Sequence, residues 1–180
     1  MEAIETKTNG NLRYNIHYDE SPGDPRSWDN VGTIVCFHKR YNLGDKTDLK
    51  RNDFASFDEL ETYIKQELKG VIILPVFMMD HSGISISTKD FNDRWDSGQI
   101  GFIYTTQEKM DENKFDVDTF TKILVNEVHT YNKYLNGECY MYIIEEQCTH
   151  CDMWKQKETI GGFYELKICR DYAEEAIKNV

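Results

Sequence analysis

The sequence predicts an α+β fold in which a mixed, mostly antiparallel sheet is flanked by two or three helices. Short runs of alternating apolar and polar residues come in clusters, and single amphipathic segments separate the clusters. A regular alternation of strand and helix would instead favour a parallel sheet covered on both faces. The chain has 180 residues. Because domains cluster at roughly 100–200 residues, we expect a single domain over residues 1–180.

The strand predictions follow from short apolar patterns. Residues 12–18 alternate apolar and polar side chains, which is typical of a half-buried strand. The apolar run 71–79 predicts a buried central strand, in which Pro75 indicates a bulge or a sheet edge. Further strands are predicted at 33–38, 84–86, 100–105, 139–144 and 161–168.

Two amphipathic helices are predicted near 56–69 and 118–136. Ser56 and Glu59 have the spacing of a capping box at the start of the first helix. Apolar residues recur at intervals of three and four along both segments, and a glycine follows each one. A short third helix is predicted over 170–179.

The charge balance indicates which classes of partner the chain can bind. The chain carries 32 acidic and 21 basic residues, a net charge of −11. This charge repels nucleic acid and anionic membranes, so we expect neither as a direct partner. An acidic surface suits a partner protein with a basic groove. Five cysteines, an odd number, and a start without a basic and then apolar segment predict reduced thiols in a bacterial cytoplasm.

One Cys-x-x-Cys pair is present, formed by Cys148 and Cys151 with His150 between them. Such a turn can present two thiolates to one ion, and zinc is the cofactor that it would take. A structural zinc site usually has four ligands, and the sequence has no second pair of this kind. The candidates to complete the site are Cys139, Cys169 and His129. Ordinary reduced thiols, a zinc site and a redox pair remain open.

A second set of candidates lies where apolar strands begin or end: His38, Asp80, His81 and Asp96. Polar groups at strand ends can converge on one site, and histidine with carboxylate suits zinc or a general base. The alternative is that each side chain satisfies its own turn, as Asp does before Ser and Gly. The sequence contains none of the glycine-rich, zinc-protease or nucleophile-elbow motifs that define common enzyme families.

Two segments carry a resemblance. Residues 24–45 contain Trp-Asp-Asn-Val-Gly-Thr and Cys-Phe-His-Lys-Arg-Tyr-Asn-Leu-Gly-Asp. Residues 80–104 contain Asp-His-Ser-Gly-Ile-Ser and Trp-Asp-Ser-Gly-Gln-Ile-Gly-Phe-Ile-Tyr. Over residues 24–45 and 71–135 the chain resembles a family of small proteins carried by phages and mobile elements of Gram-positive bacteria. That family has a cysteine before the tryptophan where this chain has Asn92-Asp-Arg, so we expect no metal ligand at that point.

The resemblance and the charge together predict a function. Small acidic phage proteins often counter host defence, and anti-CRISPR proteins against type II systems are one such class. We therefore expect a protein that inhibits a host defence nuclease by binding it, with Cas9 as the first candidate, because Cas9 holds nucleic acid in positively charged channels. The candidate partner-binding residues are Asp111, Glu112, Asp116, Asp118, Glu145 and Glu146. The alternatives are a metal-dependent enzyme that uses the His/Asp cluster and a phage protein with a structural or regulatory role.

Overall fold

The structure is a computed structural model, and it describes residues 2–178. Within these residues the strands are β1 (Glu5–Asn9), β2 (Leu12–Tyr18), β3 (Thr33–Cys36), β4 (Gly70–Asp80), β5 (Ile84–Ser87), β6 (Ser97–Thr106), β7 (Tyr140–Gln147) and β8 (Trp154–Phe163). The α-helices are α1 (Phe57–Gln66), α2 (Gln107–Asn113), α3 (Val117–Leu135) and α4 (Leu166–Ala176). Every pairing between these strands is antiparallel, which confirms the α+β prediction.

The chain divides into two compact units, each with its own four-stranded sheet. The first unit contains the described residues up to 23 and those from 133 onward, and the second contains residues 24–132. The prediction of a single domain over residues 1–180 stays a prediction. No helix within residues 2–178 has both the length and the apolar character needed to cross a membrane.

The first unit has the strand order β1-β2-β7-β8 and packs α4 against one face of its sheet. Alternate residues of β2 and β7 point into this core, as the period of two in their sequences requires. The buried side chains of the core are Leu12, Tyr14, Ile16, Tyr142, Ile144, Cys169, Ala173 and Ile177.

The second unit has the strand order β3-β6-β4-β5, and residues 100–105 of β6 are buried between β3 and β4. Helix α1 packs on this sheet, and Ser56 begins it by accepting a hydrogen bond from the Glu59 backbone N–H. Gly101 lets β3 and β6 approach closely, because a Cβ there would lie 1.9 Å from the Val35 carbonyl oxygen. Pro75 pairs with Phe102 on β6. Since β5 pairs with β4 only from residue 77 onward, Pro75 lies at a local sheet edge, as predicted.

The structure corrects several predicted elements. The strand predicted at 161–168 is wrong in its second half, because β8 ends at residue 163 and α4 begins at residue 166. The helix predicted at 170–179 is therefore longer toward its start, and residue 179 lies outside the described residues. Strand β1 and helix α2 were not predicted, because both are polar and carry no buried residue.

Candidate functional site

The ends of three strands form an open cleft in the second unit. Strand β6 runs antiparallel to both β3 and β4, so the last residues of those strands meet its first residues. Two adjoining depressions of about 320 and 660 Å³ share His38, Gln99 and Ile100 in their walls. The smaller one also contains Asp80 and Asp96. Convergence of the predicted strand-end residues is therefore observed, and the antiparallel topology explains it.

Each of these side chains already has a partner within the cleft. His81 Nδ1 lies 3.0 Å from Asp96 Oδ2. The Asp80 carboxylate forms an ion pair with the Arg40 guanidinium. The His38 ring stacks on Tyr41, with 5.1 Å between ring centroids and 12° between planes.

This pairing determines what the cleft can do chemically. Among residues 2–178, no three histidine, cysteine or acidic side chains are arranged as a group that could hold a metal ion. The His81–Asp96 pair is exposed to solvent, and the Asp80 carboxylate is already paired with the Arg40 guanidinium. The structure thus brings the four residues to one end of the sheet without arranging them as one coordination sphere, and metal-dependent catalysis there stays a prediction.

The wider depression combines basic and aromatic side chains that the sequence analysis did not connect. Its wall includes Phe37, Lys39, Tyr41, Lys50, Arg51 and Phe57. The Arg51 guanidinium lies over the Phe57 ring at 5.1 Å from the centroid and donates to the Phe54 carbonyl. In the wall of the smaller depression, Trp95 is 87% exposed. The sequence signal for this depression was the locally basic loop 39–51. Composition alone could not show that this loop packs against aromatic residues.

The predicted acidic residues of α2 and α3 occupy a continuous exposed segment. All eight residues from 111 to 118 are exposed, and they include four carboxylates and one lysine. Asp116 Oδ1 accepts the Thr119 backbone N–H at 2.7 Å, and this hydrogen bond holds the pKa of Asp116 below its usual value. Glu112 lies 3.7 Å from the Lys109 ammonium, which also contacts Asp29 at 3.3 Å. The remaining carboxylates of the segment, Asp111 and Asp118, form no ion pair within residues 2–178 that the structure shows.

The other two predicted acidic residues, Glu145 and Glu146, lie in the sheet of the first unit and are each paired with a cation. Glu145 accepts hydrogen bonds from Arg13 Nε at 2.6 Å and from Asn15 at 2.5 Å. Glu146 Oε2 lies 3.2 Å from Lys157 Nζ. Because cations of the same sheet offset both charges, these residues contribute less to an acidic surface than residues 111–118.

The acidic segment and the cleft lie far apart within the second unit. The cleft surrounds the first residues of β6, and α2 begins directly after its last residue. Ten residues of extended strand span about 30 Å. The unit therefore carries an acidic surface at one end of β6 and a partly basic, aromatic cleft at the other.

The predicted zinc ligands are divided between the two ends of β7. Cys148 and Cys151 lie together in the turn between β7 and β8, with His150 between them. Cys139 is buried and immediately precedes β7, whose eight residues place it about 26 Å from the turn. Cys139 therefore cannot share an ion with Cys148 of the same chain.

The turn itself favours a negatively charged sulfur. The backbone N–H of His150, followed by the thiol and the backbone N–H of Cys151, lowers the pKa of the Cys148 thiol. The His150 ring is itself engaged locally, since its Nδ1 lies 3.1 Å from the Thr149 hydroxyl.

Comparison of the chain with models of protein families, with curated proteins and with solved structures finds no match. The resemblance to phage and mobile-element proteins therefore stays a prediction that rests on the two quoted segments.

Proposed function

We propose that this chain is a binding protein that inhibits a host defence nuclease, and that its residues 111–118 enter a basic nucleic-acid channel of that nuclease. The observation that carries the proposal is the exposed segment with four carboxylates and one lysine. Carboxylates on such a segment can occupy positions that phosphates take in the channel, because both present anionic oxygens to Arg and Lys.

The local structure suits this role. Helix α2 ends at Lys114, which has a left-handed backbone with φ of 56°, and α3 begins three residues later. The short connection keeps Asp111 and Glu112, on one helix, near Asp116 and Asp118 at the start of the next. Two structured helix ends hold the charges in place, so little conformational entropy is lost when a partner binds.

The choice of Cas9 as the effector rests on the resemblance and on the net charge. Cas9 holds its guide–target duplex and its displaced strand by contacts from basic side chains to the nucleic-acid backbone. A chain with a net charge of −11 is attracted to such a surface over a distance set by the ionic strength.

The test measures Cas9 function with a charge-neutralised variant. The variant carries Asp111→Asn, Glu112→Gln, Asp116→Asn and Asp118→Asn, and asparagine at position 116 can still accept the cap hydrogen bond. We expect about tenfold slower association with guide-loaded Cas9, and weaker inhibition as salt rises, because exposed charges mainly set the association rate. A control variant has the same change of charge on exposed residues elsewhere: Glu67→Gln, Asp90→Asn, Asp171→Asn and Glu175→Gln.

DNA binding and DNA cleavage by Cas9 are followed separately. If both proceed at full rate with the wild-type protein across cognate Cas9 variants, the proposed function is wrong. If DNA stays bound while cleavage stops, inhibition is real but the carboxylates do not replace phosphates. Equal loss in the control variant would show that net charge acts without a specific surface.

A further inference from the structure

We propose that the turn between β7 and β8 is half of a zinc site, and that two copies of the chain complete it with Cys148 and Cys151 of each copy. This inference does not depend on the proposed function. It identifies both a metal and a partner, namely a second copy of the same chain.

The turn brings its two cysteines together. In a Cys-x-x-Cys pair, two thiolates can bind one zinc ion from the same side. Cys148 and Cys151 have this spacing, and both lie in the single turn that joins the paired antiparallel strands β7 and β8.

The backbone of the turn fixes this arrangement. The Cys148 N–H donates to the Met153 carbonyl at 2.8 Å, and the Asp152 N–H donates to the Cys148 carbonyl at 3.0 Å. Asp152, directly after the second cysteine, has a left-handed φ of 57° that reverses the chain. A turn closed by its own hydrogen bonds offers a preorganised pair of ligands.

The turn alone has too few ligands for a complete zinc site. A structural zinc site has four, arranged as a tetrahedron. The turn supplies two thiols, and the geometry of β7 separates Cys139 from them by about 26 Å. Cys169 is fully buried in the core of the first unit. An identical pair from a second copy, related by a two-fold axis, supplies the two missing thiolates in a closed dimer.

The turn is accessible to a second copy of the chain. All five residues from 149 to 153 are exposed, and Cys148 is half-buried. The pair therefore lies at the tip of a hairpin, where two copies can meet through their tips. A contact of this kind requires little buried surface, because the metal–sulfur bonds supply the affinity.

The experiment uses the full chain, purified under reducing conditions without chelator. We expect one zinc ion per two chains by elemental analysis, and a mass by light scattering of twice the 21.2 kDa of the chain. Removal of zinc with a chelator should halve the mass, and added zinc should restore it. Cobalt in place of zinc should give the strong visible absorption of a tetrahedral four-sulfur site.

Four variants decide between the alternatives. Cys148→Ser and Cys151→Ser should each lose zinc and become monomeric, whereas Thr149→Ser, a control in the same turn, should behave as wild type. His150→Ala should keep both the metal and the dimer. Circular dichroism and urea unfolding check that each variant stays folded, which we expect because the substituted side chains lie in an exposed turn.

Several results would overturn the proposal. One zinc ion per monomeric chain, lost in His150→Ala, would show a site completed within one chain. A protein without zinc, whose mass is lower by two hydrogens after mild oxidation, would show a redox pair instead. A dimer that survives both the chelator and Cys148→Ser would show that association does not involve the metal.

Discussion

Arg26 connects three separate parts of the second unit. Its guanidinium forms two hydrogen bonds with Asp45, from Nε at 3.0 Å and from Nη2 at 2.7 Å. It also contacts Glu127 Oε2 of α3 at 3.0 Å and the Gly32 carbonyl at 2.7 Å. Only 5% of the Arg26 side chain is exposed, and the partner carboxylates are 21% and 11% exposed. The two carboxylates in turn accept backbone N–H groups at the start of β3.

Within the described residues, Arg26 is the only cation that forms an ion pair with Asp45 and with Glu127. Replacing Arg26 by Met therefore leaves both carboxylates without a cation. Breaking a buried ion pair by removing one partner costs about 3–5 kcal/mol, mostly because a charge stays buried without compensation. At about 2–4 °C per kcal/mol for a chain of this size, Tm should fall by about 10 °C. Arg26→Lys keeps the charge without the planar fork and should lose an intermediate amount.

The free energy of unfolding is measured by urea titration. Adding Asp45→Asn and Glu127→Gln to Arg26→Met should recover at least half of the loss, because the amide oxygens still accept the backbone N–H groups without carrying charge. The exposed ion pair of Arg40, whose side chain is 69% exposed, is the control, and Arg40→Met should cost less than about 1 kcal/mol. The reasoning fails if Arg26→Met costs no more than Arg40→Met, or if the triple variant is less stable than the single one.

Two further predictions concern the sheets. Gly101→Ala should destabilise the second unit by about 3 kcal/mol or more in urea titration, because the new Cβ would overlap the Val35 carbonyl, whereas Gly98→Ala on the same strand has no atom within 4 Å and should change stability by less than about 0.5 kcal/mol. In the first unit, the buried Tyr14 hydroxyl donates to Glu5 at 2.7 Å and is the largest cause of the lowered pKa of Glu5. Tyr14→Phe should therefore raise that pKa in an NMR titration and cost about 1.5–3 kcal/mol at neutral pH. Because the pKa of Glu5 is lowered in the folded state, Glu5 contributes stability that is present above its unfolded pKa and is lost as pH falls through its folded pKa. The difference in the free energy of unfolding between Tyr14→Phe and wild type should therefore shrink in acid. Parallel pH profiles of the two proteins would contradict this assignment.

The sequence predicted the elements whose signal is local. Helices α1 and α3 were placed within a few residues, because their apolar side chains recur at helical spacing and bury one face. Helix α2 has no buried residue and strand β1 is a polar edge strand, so neither carries a periodic apolar pattern. The division into two sheets was not readable, because β2 pairs with β7, and Leu12 lies opposite Glu146 at the far end of the chain.

For the candidate sites, too, the sequence predicted local features but not the contacts between residues distant in the chain. Convergence of His38, Asp80 and Asp96 was predictable, because polar residues at the ends of adjacent antiparallel strands meet at one edge. The engagement of Asp80 by Arg40 was not, since it depends on how the loop after β3 folds back. For the cysteines, the pattern identified the Cys148 and Cys151 pair, but only the strand bounds of β7 show that Cys139 lies out of reach.

Strand β8 is a terminal strand of its sheet, ten residues long and exposed along nearly all of its length. Such an edge can template the addition of strands from other molecules, which leads to aggregation. Two features oppose this here. Charged side chains at Lys155, Lys157 and Glu158 line the strand, and shifts in its register with β7 disturb the regular row of backbone groups. The hairpin can therefore project its turn into solvent while its outer strand discourages fibre growth.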